Sequence, residues 1–197
     1  DGNLNINLEA DREAHHLPPK GIILGSLNQS FKLDPVMFDA WVKILQENKA
    51  AYLWLLNEGE DMKKNILSYL DNRIDKERII FAERVDREIH LARIRNIDIA
   101  LDTRIYNGHT TSIEMIQSGI PLVTLEGNHF ASRVSSSLLH ALDVKELITK
   151  NINDYKDTVS NLIKNDDALN SLKSKIHHQL SKSKLMDTNF FVRSFED

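Results

Sequence analysis

The sequence predicts an α/β fold, a Rossmann-like parallel sheet with helices on both faces, with further helices after it. Three observations carry this expectation. Short apolar runs alternate with segments of helical periodicity from Gly21 to Leu125, the pattern of repeated strand–helix units. Within those runs successive residues are apolar, as strands covered on both faces must be. No turn signal joins two strands directly into a hairpin. Right-handed crossovers would then gather every loop that leaves a strand along one edge of the sheet.

Taken in order, residues 1–20 are a polar lead-in with His15-His16 and Leu17-Pro18-Pro19; the two prolines preclude a continuous helix, so an extended path is expected. Gly21–Gly25 is the first strand. In the loop after it, Asp34 suits a helix N-cap and Pro35 the first helical position. The helix Val36–Glu47 places Phe38, Trp41, Val42 and Leu45 at helical spacing. Ala51–Leu56 is the second strand, Asp61–Leu70 a helix, and Arg78–Phe81 a short strand. A helix over Asp86–Arg95 offers Ile89, Leu91 and Ile94 for packing. Ile97–Leu101 is the next strand, ended by Asp102 and Thr103. Gly108 permits a turn before a helix that begins at the Thr110-Thr111 hydroxyls, carries Ile113 and Ile116 inward, and closes at Ser118-Gly119. Pro121–Leu125 is a strand and Ser132–Leu142 a helix. Glu146–Ile148 is a last short strand or a turn. Helices over Asn153–Ile163, opened by Asn151 or Asn153, and Asp167–Lys182 follow. The tail holds Phe190, Phe191, Val192 and Phe195, and is expected to dock on another element or a further domain. The organisation read from this is a lead-in (1–20), a Rossmann-like binding domain (21–150) and C-terminal helices packed on that domain (151–197).

Composition bounds the function. The 197 residues are 41% hydrophobic, enough for a core, and the net charge of -4 gives no general attraction to nucleic acid. No cysteine is present, which removes disulfides and thiolate metal sites and fits a reducing compartment, with the cytoplasm as the expectation. No apolar run approaches the roughly 18–20 residues of a membrane span, and no signal peptide opens the chain. The polar start, Asp1–Glu9, reads as the interior of a longer protein. Dinucleotide G-x-G-x-x-G and phosphate P-loop signatures are missing. So are an Asp-x-Asp triplet for a metal-held diphosphate, a zinc-protease helix and a serine-hydrolase elbow.

What remains is a set of polar clusters on loops that share one sheet edge. The first loop offers Gln29 and Lys32. Arg87, His90 and Arg93 are spaced three apart and so share a helix face. His109, Thr110 and Thr111 stand at a helix N-terminus, with Glu114 one turn on. Lys32 and free N–H groups at that helix end suit a diphosphate, Glu114 suits ribose hydroxyls, and His90 with Arg93 suits a planar base. Taken singly, each has an ordinary reading: a solvated lysine, a wet helix face, a threonine cap, a carboxylate answering the helix dipole. Spacing alone supports an anion-binding α/β domain.

Four separated segments sharpen this. LNQSFKLDP, RIIF followed by ERVDREIHLARI, LDTRIYNGHTTSIEMIQSGIPLVTLEG and ASRV, with the lead-in LPPKGIIL, resemble in order and spacing the C-terminal catalytic half of the O-linked N-acetylglucosamine transferase family. The resemblance covers about residues 17–182. It implies the second domain of a GT-B glycosyltransferase, which binds a nucleotide sugar opposite an N-terminal Rossmann-like half, usually preceded by tetratricopeptide repeats. By position, Lys32 resembles the family's essential phosphate-binding lysine, with Gln29 beside it. His109, Thr110 and Thr111 match the helix end that holds the diphosphate. Glu114 falls where the family has a ribose-binding aspartate, and Arg87 where it has a lysine near the ribose. His90 and Arg93 match residues on the uracil, and the main-chain amide near Val85 would pair with the base. The intact Gly108-His109-Thr110-Thr111 run is most similar to the branch that uses UDP-N-acetylglucosamine, rather than the fucose- or glucose-transferring relatives. The implied reaction inverts the anomeric carbon and needs no cofactor and no metal. The implied partners are a UDP-sugar and a protein acceptor, with neither nucleic acid nor membrane. A non-catalytic nucleotide-sugar-binding module and another GT-B enzyme, such as an epimerase, are the competing expectations.

Overall fold

The computed structural model describes residues 10–196; the polar opening Asp1–Glu9 lies outside them. Six strands, β1 (Ile22–Ser26), β2 (Ala51–Leu56), β3 (Ile79–Ala82), β4 (Ile99–Leu101), β5 (Leu122–Leu125) and β6 (Ile148–Thr149), alternate with α1 (Pro35–Glu47), α2 (Glu60–Leu70), α3 (Arg87–Arg93), α4 (Thr110–Gln117) and α5 (Val134–Ala141). Then come α6 (Ile152–Lys164), α7 (Asp166–Lys182) and α8 (Thr188–Glu196). The sheet runs in the order β3-β2-β1-β4-β5-β6 with every pairing parallel. This is the predicted Rossmann-like architecture.

The order fixes where a ligand can sit. From β1 the chain winds outward to β2 and β3, then crosses back over the sheet so that β4 joins the other side of β1, with Leu24 opposite both Leu53 and Ile99. Loops leaving β1 and β4 therefore diverge to opposite faces and open a crevice at the carboxyl edge, where open α/β sheets bind ligands.

Burial explains the elements. Ile23, Leu24, Leu53, Trp54, Ile99 and Val123 are almost completely enclosed, as expected of central parallel strands. Helix α1 starts as read: Asp34 accepts from the N–H groups of Val36 and Met37, with Pro35 in the first turn. Its inner face buries Phe38, Trp41, Val42 and Leu45, and the Trp41 indole donates to the Tyr155 hydroxyl on α6 at 3.1 Å. Helices α6 and α7 add Tyr155, Val159, Leu169 and Ile176 to the same core. Gly119, at φ 75°, ends α4 against α7. A Cβ there would stand 2.2 Å from the His177 ring nitrogen, so only glycine fits that close approach.

Several expectations change. The lead-in is not simply extended: it turns at Glu13–His15 and is tied down by Arg12, which donates to the carbonyls of Pro18 and Gly21 and to Asp98. Periodicity could not anticipate this, because one arginine reaching across the chain supplies the anchor. The helix expected over Asp86–Arg95 is α-helical only to Arg93 and finishes in a 3-10 turn, Ile94–Asn96. Ile89 on it is exposed, while Leu91 and Ile94 are buried. In α4, Ile116 packs inward but Met115, rather than Ile113, is its buried partner. The helix expected from Ser132 is preceded by a 3-10 turn, Phe130–Ser132, and starts at Val134. On the tail, Phe190, Val192 and Phe195 are exposed, and the Lys184 ammonium lies 4.0 Å from the Phe190 ring centroid. No helix of the described residues is long and apolar enough to cross a membrane.

Candidate functional site

The crevice between β1 and β4 is closed by side chains that stitch its two loops together. Lys32, in the 3-10 turn after β1, extends its Nζ to the carbonyl of Asn107 in the loop after β4, at 2.9 Å. Asn28 accepts from the Thr111 hydroxyl at 2.6 Å and donates weakly to that of Thr103 at 3.4 Å. The Lys32 ammonium also lies 4.1 Å from the centroid of the Tyr106 ring, a favourable cation–π arrangement. Burial draws the Lys32 pKa below its ordinary value, against the opposing pull of Asp102. Gln29 precedes this turn, exposed on the rim.

Behind Lys32 stands the N-terminus of α4. Helices α1, α6 and α7 each have an Asp or Asn side chain on their first-turn N–H groups, whereas α4 has none from its N-cap, His109. The N–H groups of Thr110 and Thr111 are therefore among the orphan donors of a helix start, with the positive end of the helix dipole behind them. Thr110 is exposed and Thr111 half-buried. The His109 ring packs between Tyr106 and Phe130, at 5.1 and 6.2 Å between centroids. Its buried Nε2 has no hydrogen-bond partner among the described residues. Beyond Phe130 a cavity of about 520 Å³ opens along α5, lined by Glu126, His129, Arg133 and His140 among others.

The β4–α4 loop is held by contacts that the sequence concealed. Asp102, fully enclosed at the end of β4, accepts the N–H groups of Thr103 and Gly108 at 2.9 and 2.8 Å and the Thr124 hydroxyl at 2.8 Å. Burial pushes its carboxyl up, partly opposed by these hydrogen bonds. Asn107 donates to the Thr103 carbonyl at 2.6 Å and accepts the Ser135 N–H at 3.3 Å. Gly108 has no room for a side chain: a Cβ would stand 2.3 Å from the Ser112 hydroxyl and 2.6 Å from that of Thr111.

The third cluster arrives because α3 crosses the sheet between β3 and β4, which brings it beside α4. Arg87 donates to Glu114 at 2.7 Å, and His90 Nε2 faces the other Glu114 oxygen at 3.4 Å. Glu114 is only 5% exposed. Burial raises its carboxyl, but hydrogen bonding and charge from His90 and Arg87 outweigh it, leaving the pKa below the ordinary value. Arg93 differs from the expectation of a base-facing side chain. It is buried, donates to the Glu83 carbonyl, meets His90 Nδ1 at 3.2 Å and lies under the Trp54 ring. Its guanidinium supports the β3–α3 turn and the His90 ring from below, and burial lowers its pKa against the pull of Glu83. Val85 sits in that turn, exposed. Among the described residues, no three His, Asp or Glu side chains gather as a metal site requires.

All three predicted clusters thus meet along one edge, around a crevice floored by α4. Sequence reasoning overlooked Asn28, Tyr106, Asn107 and above all Asp102, which it read only as a strand end. A carboxylate just past the end of a buried parallel strand was the available signal.

Comparisons with known proteins agree with this geometry. Residues 4–195 match Glycosyl transferase family 41. The chain is 34% identical over 194 residues to the UDP-N-acetylglucosamine–peptide N-acetylglucosaminyltransferase of Caenorhabditis elegans, covering 98% of this chain and 17% of that protein. It is 28% identical to the probable enzyme of that name in Arabidopsis thaliana, covering 98% of this chain and 20% of the relative. The chain therefore spans a fifth or less of these relatives. Among solved structures, a point mutant of the Thermobaculum terrenum O-GlcNAc transferase superposes with a TM-score of 0.85 at 30% identity, over 91% of this chain and 36% of that one. Sucrose-phosphate synthase from Thermosynechococcus elongatus, at 13% identity and a TM-score of 0.65 over 94% of this chain and 48% of that one, shares the fold alone. On its sequence match, its sheet and the solved fold it superposes on, the chain is a Rossmann-like GT-B half and belongs to glycosyl transferase family 41, the O-GlcNAc transferase family.

Proposed function

We propose that this chain is the donor-binding half of an inverting, metal-independent protein O-glycosyltransferase that uses UDP-N-acetylglucosamine to modify serine or threonine. The observation that carries the reading is the meeting of Lys32 with the uncapped N-terminus of α4 at the β1–β4 crevice, in a chain of this family. In this reading the UDP diphosphate lies across Lys32 and the N–H groups of Thr110 and Thr111, next to His109. Glu114, held by Arg87 and His90, accepts from the ribose. The uracil lies on the β3–α3 turn at Val85, with His90 at its edge and Arg93 beneath, and Gln29 closes the rim.

The chemistry follows from charge. As the acceptor oxygen bonds to the anomeric carbon, the bond from that carbon to the diphosphate breaks and negative charge accumulates on the departing phosphate. The α4 N–H groups stand at the crevice before the charge develops, and Lys32 reaches it by exchanging its Asn107 contact for the phosphate, so donors placed in advance stabilise the charge with little reorganisation. These residues supply the donor side. The acceptor side is assigned to the part of the protein facing this crevice, an N-terminal Rossmann-like half preceded by tetratricopeptide repeats, acting in the cytoplasm.

The test is incubation of the complete protein with UDP-N-acetylglucosamine and a serine- and threonine-bearing peptide, read by mass spectrometry. The reading expects a mass gain of one N-acetylhexosamine on a hydroxyl residue with release of UDP. Transfer only from UDP-glucose or GDP-fucose would reassign the donor. Tight UDP binding with no transfer to any peptide would support a non-catalytic binding module instead.

A further inference from the structure

We propose that Asp102 is a positioning residue for diphosphate binding, acting through the loop that carries Asn107 and the N-terminus of α4. The inference rests on the donor-binding reading above. A carboxyl with 1% exposure at the end of a central strand is costly to enclose, and here the groups that stabilise it are Thr103 and Gly108 of the site's own loop, Thr124 on β5 and Ser135 on α5. One oxygen takes the N–H groups of Thr103 and Gly108, closing the β4–α4 loop into a ring at its two ends. The other takes the Thr124 hydroxyl and so references that ring to β5. Within the ring, Thr103 donates its hydroxyl to the Tyr106 carbonyl at 2.6 Å, and Asn107 donates to the Thr103 carbonyl.

The consequence is geometric. With the inner side of the loop satisfied by Asp102, the Asn107 carbonyl is turned outward, where it receives Lys32. Gly108 is drawn inward by its N–H, so that the next residues enter α4 with their own N–H groups facing the crevice. Asp102 makes no hydrogen bond to Lys32, which feels only its charge, yet it sets the placement of both diphosphate-binding elements at once. A merely structural carboxyl would affect the whole domain alike. A positioning one affects the phosphate end of the ligand and spares the nucleoside end, which is held by α3 and Glu114.

That difference is measurable. The complete protein, with Asp102→Ala, Asp102→Asn and Thr124→Val variants, is titrated with UDP and, by ligand-observed NMR, with uridine, after circular dichroism confirms folding. Asp102→Ala is expected to weaken UDP about tenfold or more while uridine binding stays unchanged. Asp102→Asn keeps an acceptor oxygen for Thr103 and Gly108 and should hold UDP affinity within about threefold of wild type. If Asp102→Ala does not fold, Thr124→Val carries the comparison: it removes one partner at similar volume and should weaken UDP about threefold without moving uridine. Wild-type affinity for UDP in a folded Asp102→Ala, or an equal loss of UDP and uridine, overturns the inference alone. A wild-type protein that does not bind UDP overturns the donor-binding reading and this inference with it.

Discussion

Replacing Lys32 by alanine is the perturbation that the site geometry prices most directly. The ammonium is half-buried, 2.9 Å from the Asn107 carbonyl and 4.1 Å from the Tyr106 ring centroid, and so already placed over the crevice. A unit charge pair at about 4 Å, in surroundings of effective dielectric about 20, is worth about 4 kcal/mol. When the ammonium turns to a phosphate it gives up the Asn107 hydrogen bond, worth about 1 kcal/mol net. It also gives up part of a cation–π contact worth about 0.5–1 kcal/mol at a partly exposed site. The remainder, about 2–3 kcal/mol, corresponds to about 30- to 150-fold in turnover. It falls at the lower edge of, or just below, what a lost transition-state donor typically costs. The assay is steady-state transfer by the complete protein, with melting temperature as the control, since losing the Asn107 and Tyr106 contacts should cost no more than about 1–2 kcal/mol of stability. Lys32→Arg should recover part of the loss, because it keeps the charge but changes the geometry of the donors. Turnover of the alanine variant within about threefold of wild type would mean that Lys32 makes no charge contact of this strength with the donor.

Three other substitutions probe the parts around Lys32. Glu114→Gln should cost about 1–2 kcal/mol of stability, drawn mainly from the enclosed His90 contact, since Arg87 is 65% exposed and its share is screened. Because the folded-state pKa of Glu114 is below the ordinary 4.5, this contribution is fully present above that value and lost as pH falls through the folded pKa. Urea denaturation of wild type and variant should therefore differ by a constant amount at neutral pH and converge in acid; a difference unchanged at low pH would contradict the ion pairing. Gly108→Ala forces a methyl group against the Ser112 and Thr111 hydroxyls, so about 1–3 kcal/mol of stability should be lost together with UDP affinity, measured by denaturation and titration. Trp41→Phe leaves the fully enclosed Tyr155 hydroxyl without its donor, and should lower stability by about 1–3 kcal/mol with no change in nucleotide affinity. An affinity loss there would mean that α1 and α6 act on the site.

How much of this was legible in the sequence follows from the range of the interactions involved. Strands and helices could be read because their signals are local: the enclosed runs Ile23-Leu24 and Leu53-Trp54, the Asp34-Pro35 cap and the Gly119 stop each act within a few residues. Parallel alternation then placed the three polar clusters on one edge, which is why Lys32, the His109–Thr111 run and Glu114 could be gathered before any coordinates. Three-dimensional partners could not be read. Arg93 shares a helical face with His90 by spacing, yet its guanidinium is buried against Trp54 and donates to the Glu83 carbonyl, partners from other segments that spacing does not show. Asp102 shows only as the end of a strand until Gly108 and Thr124, from two later segments, close on it. The 3-10 turns at Ile94–Asn96 and Phe130–Ser132 likewise break helices that periodicity continues.

Calorimetric titration of the protein with UDP, with GDP as the competitor, asks whether the crevice is a uridine diphosphate site. A crevice built from Lys32, the α4 N-terminus, and Glu114 with His90 should bind UDP, prefer it to GDP, and lose most of that affinity on Lys32→Ala. Equal affinity for the two nucleotides, or UDP binding that is indifferent to Lys32, would contradict the account.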